Sequence, residues 1–180
     1  MILVLGDSLS AEYGIARGSG WVPLLADRLQ QRKFNASVVN ASVSGDTSSG
    51  ALARLPALLS QHHPDLVIVE LGGNDALRGL PTSALRKNLT AIVQATKTAG
   101  AQSLLVGMQI PPNFGRDYSQ QFIDSFTEVA RTQKVPLVPF LLAGFETRID
   151  WFQADRIHPV AAAQPQMLDN VWPVLEPLLK

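Results

Sequence analysis

Five short runs rich in β-branched and other apolar residues alternate along this chain with five longer amphipathic stretches, and that alternation sharply limits the available folds. The runs cover residues 2–5, 37–40, 65–71, 103–108 and 136–140. The amphipathic stretches cover 21–32, 48–60, 82–98, 118–132 and about 164–179. In the first stretch Trp21, Leu24, Leu25 and Leu29 recur at three- and four-residue spacing, so they share one helical face suited to packing on a sheet. Pro56 is expected to kink or break the second. Strands that each precede a helix need crossover connections, and right-handed crossovers give a parallel sheet with helices on both faces. The expected fold class is therefore a doubly wound α/β sandwich around a five-stranded parallel sheet. The run "DLVIVEL" at 65–71 is nearly apolar throughout, as a strand buried on both faces should be, although Glu70 at its end breaks the pattern.

No internal repeat, low-complexity tract or linker divides the chain, so residues 1–180 are expected to form one domain. A chain of this length buries roughly 70% of the surface its unfolded form exposes, enough for a single core without staples. Fifteen basic and fifteen acidic side chains leave no net charge, and no Lys/Arg cluster offers the basic face that nucleic-acid binding requires. The absence of cysteine excludes disulfides, thiolate nucleophiles and Cys-ligated zinc. The apolar runs are too short to span a bilayer, so stable membrane insertion is not expected. His62 and His63 precede the third strand and His158 follows the fifth, so the three histidines fall at opposite sheet edges and a metal site is not expected.

Open α/β sheets bind ligands beyond the carboxyl ends of their strands, which directs attention to the loops there. After the first strand comes "GDSLS", after the second "NASVSGDTS", after the third "GGND", and after the fifth a long loop containing "DRIHP". Each supplies a group that acyl transfer needs. A serine hydroxyl such as Ser8 is a poor nucleophile until a base takes its proton, and His158 is the natural base because imidazole titrates near neutrality. Asp155, three residues earlier, is able to accept the other ring N–H and fix the tautomer. Gly45 offers a backbone N–H and Asn74 a side-chain amide to the oxyanion of a tetrahedral intermediate. Ser10 is the nearest rival nucleophile and Asp150 the nearest rival acid, while Asp7 and Asp46 are read as turn or cap residues.

The set "GDSLS", Gly45 in "SGDTS", Asn74 in "GGND" and the Asp-x-x-His pair in "DRIHP" resembles the four blocks of the GDSL esterase/lipase family, also called SGNH hydrolases. The stretches "VVNASVSGDTSSGALARLPALL" and "VELGGNDALRG" are similar to its bacterial multifunctional thioesterase, lysophospholipase and arylesterase group beyond those blocks. The resemblance implies a flavodoxin-like three-layer α/β/α fold, Ser8 as nucleophile, and His158 with Asp155 completing a triad. It also implies an oxyanion hole from the Ser8 N–H, the Gly45 N–H and the Asn74 amide, and a two-step hydrolysis of aryl esters, acyl-CoA or lysophospholipids that needs no cofactor. Activity is then expected to rise through the histidine titration range, since the base must be neutral.

An acyl chain requires an apolar lining, and five residues are expected to supply it: Leu77 and Leu80 after "GGND", Ile110 and Pro111 in the fourth loop, and Phe145 after the fifth strand. A carbohydrate deacetylase of the same family, a non-catalytic binding module and a flavodoxin-like nucleotide or phosphate receiver are the alternatives; the complete set of catalytic residues argues against the second, and the third leaves Asn74 and the Asp155–His158 pair without a task. The resembled group is exported, and Met1 directly abuts the first strand, so a mature periplasmic form is expected, with a cytoplasmic one as the alternative. A monomer acting on a small-molecule ester or thioester is the expected state.

Overall fold

The computed structural model describes residues 1–179. Five parallel strands, β1 (Ile2–Gly6), β2 (Val38–Asn40), β3 (Leu66–Glu70), β4 (Gln102–Val106) and β5 (Leu137–Val138), form one sheet in the order β2-β1-β3-β4-β5. The six α-helices among the described residues are α1 (Trp21–Gln31), α2 (Ser48–His62), α3 (Gly73–Leu77), α4 (Thr82–Thr98), α5 (Arg116–Gln133) and α6 (Gln164–Leu175). Helix α1 packs on α6, and α2 packs on α4, which packs on α5, so the sheet lies between two helical layers. This is the three-layer α/β/α arrangement expected from the alternation of runs.

In this strand order the chain winds outward in both directions from β1 and β3, and the switch leaves a crevice beyond their carboxyl ends. Leu3, Val4, Leu5, Val67, Ile68, Leu104 and Leu105 are all fully buried, which is why the central strands read as continuous apolar runs. Strand β3 ends on Glu70, paired in register with Gly6 on one side and Val106 on the other and itself fully buried. The one residue that broke the apolar pattern therefore lies under the crevice.

The structure departs from expectation in three places. Strand β5 is two residues long rather than five, because Pro136 and Pro139 flank it and lack the N–H that a ladder needs. Helix α2 continues through Pro56, which lies on the exposed face, where its ring meets solvent rather than the packed core. Helix α3 forms where the sequence suggested only a loop. Its N-cap Gly72 has φ +116°, and a Cβ there would sit 3.0 Å from the Phe126 ring, so glycine meets both a backbone and a packing demand.

Trp21 opens α1 and is fully buried. Its backbone N–H donates to Gln164 Oε1 at 3.0 Å, so the first residue of α6 caps a helix that begins 143 residues earlier. Its indole Nε1–H donates to Ser10 Oγ at 3.2 Å. Trp21→Ala removes a large core side chain and this bond together, and denaturant unfolding is expected to show a loss of about 3–5 kcal/mol. A loss under about 1 kcal/mol would mean that the layer closes over the cavity.

Candidate active site

Ser8 lies in the turn directly after β1. The turn is closed by the Ser10 and Ala11 N–H groups donating to the Asp7 carbonyl at 3.2 and 2.9 Å, and by the Leu9 N–H donating to Asp7 Oδ1 at 3.0 Å. That arrangement presents the Ser8 hydroxyl at the crevice, and Ser8 Oγ lies 2.8 Å from His158 Nε2. His158 Nδ1 lies 2.6 Å from Asp155 Oδ2. Ser8 and His158, 150 positions apart in sequence, are brought to one line because β1 is central and the loop after β5 folds back over its end.

The 155–158 turn is local chemistry. Asp155 Oδ1 accepts the N–H groups of Ile157 and His158 at 2.9 and 3.0 Å, leaving Oδ2 for the imidazole. Arg156 takes φ +58° to make the turn this tight. Burial works to raise the Asp155 pKa, but these N–H groups and the imidazole outweigh it and pull the carboxyl down to about 2. Asp155 therefore stays ionised throughout the neutral range.

Two groups tie this loop to the nucleophile turn. Gln153 Nε2 donates to the Tyr13 carbonyl at 2.8 Å and to the Pro159 carbonyl at 3.2 Å, and its N–H donates to the His158 carbonyl at 2.8 Å. The Tyr13 ring rests against the imidazole with centroids 4.4 Å apart. Neither residue was singled out from sequence, since the pairing spans 140 positions and neither type is diagnostic of it.

On the other side of Ser8, Asn74 lies in α3 and its Nδ2 donates to the Asp46 carbonyl at 2.9 Å and to Asp7 Oδ2 at 3.1 Å. Gly45 takes φ +80°, and its carbonyl accepts Arg78 Nη2 at 2.8 Å. Among the described residues neither the Gly45 N–H nor the Ser8 N–H has an acceptor within the protein. Asp75 binds α2 to this loop by accepting the Ser48 N–H at 2.8 Å and the Ser48 hydroxyl at 2.5 Å. Asp46 pairs with Arg54 at 2.8 Å.

The rivals fall away on geometry. Ser10 is 2% exposed, donates its hydroxyl to Glu70 Oε2 at 2.7 Å and accepts from Trp21, so no substrate carbonyl reaches it. The Asp150 carboxylate pairs with Arg148 at 2.9 Å, not with the imidazole. Asp7 does fill a turn role through Leu9, but its second oxygen reaches Asn74, which is more than a cap. Burial pushes the Asp7 pKa up to about 6 against the Leu9 N–H and the nearby His158.

The five residues expected to line an acyl pocket divide. Leu77 is exposed at the end of α3, and Leu80 is half-buried with its carbonyl accepting the Tyr118 hydroxyl at 2.7 Å. That bond brings the 77–80 loop beside α5 and hence beside the loop of Ile110, which is half-buried, and Pro111, which is exposed. Phe145 is a correction. It is 1% exposed and packs against Trp151 and Phe152 with centroids 5.3 and 5.7 Å away, so it supports the loop carrying His158 instead of facing a substrate.

A hydroxyl, an imidazole and a carboxylate in one hydrogen-bonded line suit acyl transfer. Comparison with known proteins bears on the same chemistry. Residues 4–164 match the GDSL-like lipase/acylhydrolase family. The chain is 51% identical to Esterase TesA of Pseudomonas aeruginosa over 178 residues, 99% of this chain and 89% of that protein. It is 45% identical to Thioesterase 1/protease 1/lysophospholipase L1 of Escherichia coli K12, again across 99% of this chain and across 84% of that one. The crystal structure of TesA superposes with a TM-score of 0.97 at 50% identity, covering 99% of each chain. Family match, near full-length identity and shared architecture agree that this chain is a hydrolase belonging to the GDSL-like lipase/acylhydrolase family.

Proposed function

We propose that the chain hydrolyses carboxylic esters and thioesters through an acyl-enzyme on Ser8. The observation that carries this reading is the continuous line from Ser8 Oγ to His158 Nε2 and from Nδ1 to Asp155, at 2.8 and 2.6 Å. Ser8 attacks the substrate carbonyl while His158 takes its proton, and Asp155 stabilises the imidazolium that results. The Ser8 and Gly45 N–H groups and the Asn74 amide receive the oxyanion. As the tetrahedral intermediate collapses, His158 returns the proton to the leaving alcohol or thiol. Water then attacks the acyl-enzyme, His158 again serves as base, and the acid departs.

Aryl esters, acyl-CoA and lysophospholipids are the substrate classes this reading assigns, consistent with relatives named esterase and thioesterase/lysophospholipase. The acyl chain runs between the Leu77–Leu80 side and the Ile110–Pro111 side of the crevice, where the half-buried Leu80 and Ile110 offer it apolar surface. The chain acts as one domain and as a monomer, in the periplasm, and among the described residues no helix is long and apolar enough to cross a membrane.

The test is turnover of matched short and long acyl chains, each presented as an oxygen ester and as a CoA thioester. Both linkages are expected to be cleaved. Leu80→Ala and Ile110→Ala are expected to change the preference between short and long chains by about 5- to 30-fold while turnover of short esters holds, as loss of one to three buried methylenes implies. An unchanged chain-length profile in both variants would remove these residues from the acyl site.

A further inference from the structure

Beneath the Ser8 turn lie two carboxyl groups that the acyl-transfer scheme leaves unused. Glu70 is fully buried at the end of β3, and Asp7 is 2% exposed at the start of the turn. The two residues are neighbours across adjacent strands, since Asp7 follows Gly6, the register partner of Glu70, and its N–H faces the Glu70 carboxyl. Glu70 Oε2 also accepts the Ser10 hydroxyl at 2.7 Å and faces the Asp7 N–H at 3.4 Å, while Oε1 finds no donor among the described residues. Among the described residues no cation pairs with Glu70. The charged and titratable groups that bear on the pair are His158 and Asp46, and Asp46 is already held by Arg54.

We propose that Asp7 and Glu70 share one proton, held on Glu70, and that the ionised Asp7 is the positioning residue that sets the Asn74 amide against the Ser8 turn. Two adjacent buried carboxylates without a cation would both be uncompensated, and a proton on one removes that cost and supplies the donor between them. Burial and the neighbouring Asp7 charge both push Glu70 well above the usual carboxylate range, which agrees. Asp7 then keeps the charge, and its two oxygens reach the two halves of the site: Oδ1 holds the Leu9 N–H of the nucleophile turn and Oδ2 holds Asn74. A single rigid carboxylate thereby fixes the distance between hydroxyl and oxyanion amide. Neutral Glu70 anchors it from behind, and Ser10 and Trp21 anchor Glu70 in turn.

The kinetic consequence rests on Ser8 and Asn74 acting as described above, whereas the proton assignment does not. Infrared spectra of the whole protein at pH 8 are expected to contain the C=O band of a protonated carboxyl, and Glu70→Gln is expected to remove it. Wild-type protein without that band, or an unchanged band in the variant, overturns the shared proton whatever the activity. Asp7→Asn leaves one acceptor where two are needed and is expected to lower kcat about 10²-fold with little change in KM, the cost of misplacing a reacting group by about 1 Å. Glu70→Ala is expected to fall similarly, and the neutral isostere Glu70→Gln to recover to within about threefold of wild type. A kcat retained in Asp7→Asn, or a Glu70→Gln variant as impaired as Glu70→Ala, overturns the positioning role. Should Ser8→Ala keep its turnover, the catalytic reading fails while the infrared result still decides the proton.

Discussion

Ser8→Ala is expected to lower kcat on esters and thioesters by about 10⁴-fold or more, leaving at most the 10³- to 10⁴-fold acceleration over water that binding and the oxyanion donors provide alone. Without Oγ, His158 has no hydroxyl proton to take and no acyl-enzyme forms. The hydroxyl has the imidazole as its partner at 2.8 Å and does not hold the turn together, since Asp7 and the backbone bonds to its carbonyl do that. Stability should therefore stay within about 0.5 kcal/mol of wild type by denaturant unfolding. A phosphonate that labels wild-type protein with a mass increase of one adduct should leave the variant unlabelled. Turnover that survived would move the nucleophile elsewhere, but not readily to Ser10, whose hydroxyl is buried and committed to Glu70 and Trp21.

Much of this arrangement was legible in sequence where the chemistry is local or periodic. The central strands showed as apolar runs because both their faces are covered, and α4 matched the expected 82–98 because its buried face repeats over seventeen residues. Asp155 and His158 were legible as a pair because one turn of four residues sets their contact. Helix α3 was not, since five residues are too few for a period to declare itself. Apolar loop residues carry no direction, which is why Phe145 read as pocket and folds as support. Glu70 did leave a signal, a lone charge in a buried strand. Its partners Asp7, Ser10 and Trp21 lie 49 to 63 positions away or are reached only through one another, so their contacts belong to topology and not to pattern.

Asn74→Ala tests the other half of the chemistry, and kcat is expected to fall about 10²- to 10³-fold, or about 3–4 kcal/mol of transition-state stabilisation, with KM nearly unchanged. In the proposed mechanism the amide meets the developing oxyanion and not the ground-state carbonyl, so its loss should appear in kcat. In the free protein both Nδ2 hydrogens are engaged, one by the Asp46 carbonyl and one by Asp7 Oδ2. One of those bonds must turn or be shared when the oxyanion forms. The bond to the charged carboxylate is the stronger type, so the Asp46 carbonyl is the partner expected to yield. Alanine also strands Asp7, a buried carboxylate that then retains the Leu9 N–H and, on the proposal above, the Glu70 proton, and unfolding should register a loss of about 1–3 kcal/mol. Asn74→Asp should be worse than alanine in kcat, because it sets a second anion both against Asp7 and where the oxyanion develops. If kcat in Asn74→Ala instead stays within about threefold of wild type, the two backbone N–H groups of Ser8 and Gly45 carry the oxyanion unaided, and the role of Asn74 reduces to holding Asp7 and the 45–47 loop in place.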